Sequence, residues 1–142
     1  MTNIKSLSKS AELFYKSAQK EYFTSAVKQI YSAANAGLEA TENLLFNVKY
    51  NKSPGLQVLQ NKLGEIMNLC REATIQNASN FIQKASNIIN EASFYTSSGN
   101  VGTGMDYATS IKADDHTSPA EYVNNIAKMI DNLKQYNQNN LT

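Results

Sequence analysis

Several residue types are scarce in this chain of 142 residues, and each scarcity narrows the possible functions. Cys70 is the only cysteine, so no disulfide can form within the chain and an oxidising compartment is not required. His116 is the only histidine, which excludes metal sites built from several histidines. No apolar run is long enough to cross a membrane, and the N-terminus lacks a continuous apolar signal segment. We therefore expect a cytoplasmic protein without a membrane partner.

The charge balance is close to neutral, with a formal net charge of +1. Nucleic-acid-binding proteins usually carry a basic surplus or stripe, which this chain lacks. Its first 30 residues have a modest positive bias, and Arg71 is the only arginine. The residues that could contact nucleic acid are Lys9, Lys16, Lys20, Lys28 and Arg71. The alternative, which we favour for the lysines, is a solvated helix face.

Apolar residues recur at helical spacing from Ser53 to Tyr95, behind the helix-start signal Ser53-Pro54. This spacing predicts a single helix over 54–94, which would be roughly 57 Å long at the rise of an α-helix. Other helices must then pack along its apolar stripe. The stripe consists of Leu59, Leu63, Ile66, Cys70, Ala73, Ala78, Phe81, Ala85, Ile88 and Ala92. Because Cys70 lies on it, we predict that this thiol fills the core.

Two interpretations of the segment 9–49 remain open. It could form one helix, or it could break near Phe23, where Thr24 or Ser25 could cap a second helix. We favour two helices, 9–23 and 26–49, because the apolar spacing drifts here as it does at bends. The apolar face would consist of Ala11, Phe14, Ala18, Tyr22, Ala26, Ile30, Ala33, Leu38, Ala40, Leu44 and Val48. Gly37, among several alanines, predicts close packing of another helix within the subunit.

The last helix, 118–137, begins with the capping sequence Ser118-Pro119-Ala120-Glu121. The segment 93–117 lacks periodicity and is predicted to be a long loop, which is either functional or a plain or disordered connection. The ends, 1–8 and 138–142, are expected to fray. The sequence therefore predicts one all-α domain, 1–142: an antiparallel bundle of about four helices, with one long central helix and a long loop before the last.

The motifs that could carry chemistry are few. Asp114, Asp115 and His116 are residue types that bind cations, and they could also serve an enzyme as acids and base. Three adjacent residues rarely all point at one ion, so we interpret them as a polar run before a helix, whose dipole favours acids. The glycine-rich stretch 99–104 is followed by Met105-Asp106, where a phosphate loop has a lysine and then a serine or threonine. The sequence predicts no metal site and no cofactor.

Residues 11–46 and 118–133 resemble a HEPN domain, a helical-bundle family found beside nucleotidyltransferases and in toxin–antitoxin systems. The likeness is carried by an alanine-rich helix, a short aromatic break and the run Tyr-x-Ala-Ala-x-Ala-Gly-Leu-Glu-Ala that starts at Tyr31. Nuclease members of that family carry an arginine shortly before a histidine. Here Arg71 lies far from His116, and Lys112 is the nearest preceding base. The resemblance thus implies a non-catalytic member that acts by binding, as a partner subunit or antitoxin-like component.

Three functional hypotheses follow from the sequence. The favoured one is a non-enzymatic interaction module that self-associates, as a homodimer for example, or binds a protein partner. The second is a HEPN-like protein associated with nucleic acid or nucleotides, or a small subunit of a nucleoprotein complex, through the N-terminal lysines. The third is an enzyme that uses His116 with Asp114 or Asp115.

Overall fold

The computed structural model describes residues 9–96, 107–112 and 117–141. Within these ranges the chain forms four α-helices and no strand, which confirms the predicted all-α class. Three short segments of 3₁₀ or π geometry accompany them: Ile75–Asn77, Tyr107–Ser110 and Asn137–Leu141. The helices are α1 (Lys9–Leu45), α2 (Pro54–Glu72), α3 (Ala78–Phe94) and α4 (Pro119–Tyr136).

Helix α1 is continuous, so the favoured break near Phe23 is wrong and the one-helix alternative holds. Thr24 and Ser25 lie in mid-helix with exposed side chains, and no proline or glycine interrupts the backbone there. Phe23 is buried and meets the ring of Phe81 edge to face, with centroids 5.9 Å apart. The drift in apolar spacing therefore reflects the different neighbours along one continuous helix. The helix ends at Leu45 instead of at residue 49.

The predicted long helix over 54–94 is also wrong, because the chain breaks at residues 73–77. Ala73 and Thr74 have extended backbones, with ψ of 132° and 160°. Thr74 and Asn77 form a capping box: the Thr74 hydroxyl accepts from the Asn77 N–H, and the Asn77 side chain accepts from the Thr74 N–H. The apolar spacing continues across the break because α2 and α3 both face the same core.

The four helices pack as a ring in which α1 and α3 each contact both α2 and α4. Tyr22 of α1 stacks on Tyr136 of α4, whereas Gly37 approaches Tyr122 of the same helix. A higher residue number in α1 therefore pairs with a lower one in α4, so these two helices run in opposite directions. Gly37 also approaches Leu63 of α2, which agrees with the predicted close packing within the subunit.

The main core draws on all four helices. It contains the predicted residues Leu59, Leu63, Ile66, Cys70, Ala78, Phe81, Ala85 and Ala92, with Ala73 and Ile88 partly buried against it. Helix α4 contributes Val123, Ile126, Ile130 and Leu133. The predicted caps are also present, since the hydroxyls of Ser53 and Ser118 accept from the N–H groups of Leu56 and Glu121.

Part of the predicted loop 93–117 is structured. Residues Tyr107–Ser110 form a 3₁₀ turn, and Ala108 packs with Leu44 and Leu56 in a second, smaller core. The buried Thr109 hydroxyl donates to the carbonyl of Tyr95 over 3.2 Å. Residues Asn137–Leu141, which include most of the tail predicted to fray, form a π-helical turn, and the side chain of buried Asn137 donates to the Ser79 hydroxyl. The other predicted frayed end, 1–8, lies outside the described residues.

Candidate interaction surface

The first turns of α1 extend beyond the rest of the bundle. Helix α1 has 37 residues, whereas α2, α3 and α4 have 19, 17 and 18. None of residues 9–22 is buried, and Phe23 is the first buried residue of the helix. At 1.5 Å per residue, this N-terminal projection (residues 9–22) is about 20 Å long.

The N-terminal projection exposes large apolar side chains. Phe14 is 79% exposed and Leu13 is 60% exposed, and both lie on a regular, continuous helix. Tyr15 and Tyr22 are also exposed. A helical stripe is formed by Ala11, Phe14, Tyr15, Ala18 and Tyr22, which share one side of α1 at spacings of three and four residues. The apolar spacing predicts Phe14 and Ala18 on the packed face of the bundle; this prediction is wrong, because the structure leaves both side chains exposed.

A tyrosine cluster marks the place where the projection leaves the bundle. The rings of Tyr22 and Tyr136 are stacked, with centroids 3.7 Å apart and planes 13° from parallel. Burial raises the pKa of Tyr136, and the neighbouring hydroxyls of Tyr15 and Tyr22 raise it further. The apolar stripe of the projection therefore continues directly from the contact between α1 and α4.

The candidate nucleic-acid contacts do not form one patch. Lys9, Lys16 and Lys20 share one side of the projection at helical spacing, and all three are exposed. Lys28 lies two turns beyond Lys20, within the bundle, and the two side chains line one groove.

Arg71 belongs to α2 and is held by its neighbours. Its guanidinium lies 5.4 Å from the centre of the Tyr31 ring, donates to the Tyr31 hydroxyl over 3.1 Å and donates to the Asn68 side chain over 2.7 Å. Arg71 therefore joins α2 to α1, a role that its sequence position did not reveal.

The groove that Lys20 and Lys28 line is a depression of about 400 Å³ between α1 and the break that separates α2 from α3. We call it the α1 groove. Its floor is apolar and includes Cys70. Burial raises the pKa of the Cys70 thiol to about 12. The thiol is therefore protonated at neutral pH, in agreement with the predicted packing role.

Asp114, Asp115 and His116 lie outside the described residues. Among the residues that the structure does describe, no three His, Cys, Asp or Glu side chains are grouped as metal ligands would be. None of the described helices has the length and apolar character needed to cross a membrane.

A further exposed pair of apolar side chains, Phe46 and Val48, follows the C-terminal end of α1. It lies at the opposite end of that helix from Phe14, and so belongs to a different surface.

No family model matches this chain, and no curated protein or solved structure is significantly similar to it.

Proposed function

We propose that this protein is a helical interaction module that self-associates through its N-terminal projection. The observation that carries the proposal is the exposure of Phe14 and Leu13 on a regular helix that extends beyond its own bundle. Exposed apolar side chains that cluster on one element are typical of protein-binding surfaces. The preferred partner is the same projection of a second copy, because a two-fold pairing brings identical apolar stripes together.

The charges on the projection support pairing of identical copies. The segment carries both signs, with Lys9, Lys16 and Lys20 beside Glu12 and Glu21. Two copies side by side can therefore place acids near bases while Phe14 and Tyr15 leave water. A surface of one sign would instead repel its own copy.

The size of the projection limits the surface area that a dimer could bury. A helix about 20 Å long and 10–12 Å wide that buries half of its circumference gives about 350 Å² per copy, and so an interface of about 700 Å² in total. This area lies below the range of about 1,200–2,000 Å² that is typical of stable complexes. We therefore expect a dimer that dissociates in the micromolar range or above.

Sedimentation velocity across a concentration series, from about 1 μM to about 1 mM, tests this proposal. The wild-type chain should pass from monomer to dimer, and Phe14→Glu should stay monomeric because it places a charge in the stripe. Phe46→Glu is the matched control, since Phe46 is equally exposed at the other end of α1. A wild-type chain that stays monomeric throughout contradicts the proposal, as does a Phe14→Glu variant that dimerises normally.

A second candidate function is association with nucleic acid. The observation that favours it is that Lys9, Lys16 and Lys20 lie exposed on one side of the N-terminal projection. The resemblance of residues 11–46 to a HEPN domain supports it further. Phosphate contacts would make the affinity fall steeply with salt concentration. RNA binding that weakens in Lys16→Gln/Lys20→Gln, but not in Lys84→Gln/Lys128→Gln, would support this function. RNA binding that is absent or independent of salt would contradict it.

A further inference from the structure

The α1 groove exists because the chain breaks between α2 and α3. Ala73 and Thr74 are extended, so α2 ends there, and the short turn Ile75–Asn77, which contacts α1, comes before α3 begins. Helix α1 runs on past this break without interruption. The result is an indentation of about 400 Å³ with α1 on one side and the break on the other.

The floor and rim of the α1 groove differ in chemistry. The floor is apolar and consists of Phe23, Val27, Cys70, Ala73 and Ile75. The rim on α1 carries Lys20 and Lys28, with the hydroxyl-bearing Thr24 between them. Thr74 and Gln76 provide polar groups on the opposite rim. No acidic side chain is among the described residues that line the groove.

Lys20 and Lys28 of α1 both line the groove. They are eight positions apart on one continuous helix, which corresponds to about 12 Å along its axis. Two ammonium groups above an apolar floor complement a molecule with an anionic head and an apolar body. A wholly apolar ligand would leave the lysines unused, and a compact inorganic anion would leave the floor uncovered.

We propose that the α1 groove binds a small amphiphilic carboxylate. The apolar body lies on Val27, Ala73 and Ile75, and the carboxylate lies between the ammonium groups of Lys20 and Lys28. A depression of about 400 Å³ lies at the small end of the roughly 300–1,000 Å³ that ligand pockets occupy. A medium-chain fatty acid or an aromatic carboxylate of similar size represents this class of ligand. The protonated Cys70 thiol adds no negative charge to the floor.

Isothermal titration of the full chain with hexanoate, octanoate and decanoate, all below their micelle concentrations, tests the apolar contribution. Each buried methylene is worth about 0.8 kcal/mol, so two more carbons should tighten binding by roughly tenfold until the groove is full. Ala73→Phe, which fills the floor without changing charge, should abolish binding, with circular dichroism as the check on folding. Affinity that is independent of chain length would overturn the proposal.

The head group is tested with decanoate against 1-decanol. Wild-type protein should prefer decanoate, and Lys20→Gln/Lys28→Gln should lose that preference, roughly tenfold in affinity, while still binding decanol. The matched control is Lys84→Gln/Lys128→Gln, which removes two exposed lysines that do not line the groove. Unchanged decanoate binding in Lys20→Gln/Lys28→Gln, or an equal loss in the control, would overturn the proposal. These tests are independent of the oligomeric state that the Phe14→Glu variant reports.

Discussion

The backbone of Gly37 on α1 packs directly against the side chain of Tyr122 on α4. A Cβ atom added to Gly37 would lie 3.1 Å from the Cβ atom of Tyr122, and equally close to the end of the Leu63 side chain. Leu63 can rotate away, but the Cβ atom of Tyr122 is fixed to its helix. The distance between α1 and α4 thus depends on the missing side chain at position 37.

The two helix-interior glycines should therefore respond oppositely to alanine. Gly37→Ala should lower the free energy of unfolding by about 1 kcal/mol or more, because overpacking outweighs the gain in helix propensity. Gly64→Ala should raise it by about 0.5–1 kcal/mol, because a Cβ atom there meets nothing within 4 Å. Urea unfolding followed by circular dichroism measures both. Stabilisation by Gly37→Ala would show that α4 yields at this contact.

Phe23 and Phe14, on the same helix, should differ sharply in their effect on stability. Phe23 is 2% exposed and packs on Phe81, so Phe23→Ala should cost about 3–5 kcal/mol. Phe14→Ala should change the free energy of unfolding of the monomer by less than about 0.5 kcal/mol. Denaturation at low protein concentration measures both, and Phe23→Leu replaces Phe23→Ala if the latter does not fold. A comparable loss in Phe14→Ala would mean that the Phe14 side chain packs on the bundle.

Thr74 should stabilise the break between α2 and α3. Thr74→Ala removes the hydroxyl that accepts from the Asn77 N–H and should cost about 1 kcal/mol. Thr24→Ala is the matched control, since this exposed mid-helix position should be neutral or slightly stabilised by alanine. Thermal unfolding of both variants gives the comparison. If the two substitutions had the same effect, the capping box would not be what holds the break.

Cys70 should make stability depend on pH in the alkaline range. The folded-state pKa of its thiol is about 12, because of burial, whereas an unfolded chain has a cysteine pKa of about 8.5. Above the lower value the unfolded state loses a proton that the folded state keeps. The free energy of unfolding should therefore fall as pH rises past about 8.5, by at most about 1.4 kcal/mol per pH unit.

The comparison that isolates this effect uses Cys70→Ala, which should give a flatter profile between about pH 8.5 and pH 9.5, below the ordinary tyrosine pKa. Superimposable profiles for the two proteins would argue against a strongly buried thiol. Slow reaction of the native thiol with an aromatic disulfide, and fast reaction in urea, provides a second measurement.

Helical spacing and caps were sufficient to predict the fold class and most of the core. Leu59, Leu63, Ile66 and Phe81 were assigned to the core from their spacing, and Ser53 and Ser118 were assigned as caps from the proline that follows each. These features are local, because a helix face and a cap depend on residues within a few positions of one another. For the same reason the close approach at Gly37 was predictable from its alanine-rich surroundings.

Only the tertiary structure decided how the helices are divided and which apolar residues remain exposed. The spacing could not show the break at Thr74, because α2 and α3 return to the same core and keep the same period across it. Nor could it show that Phe14 extends past the bundle, since this depends on α1 being longer than the helices beside it. The α1 groove has the same origin: Lys20 and Cys70 both line it because the continuous helix α1 runs past the break between α2 and α3.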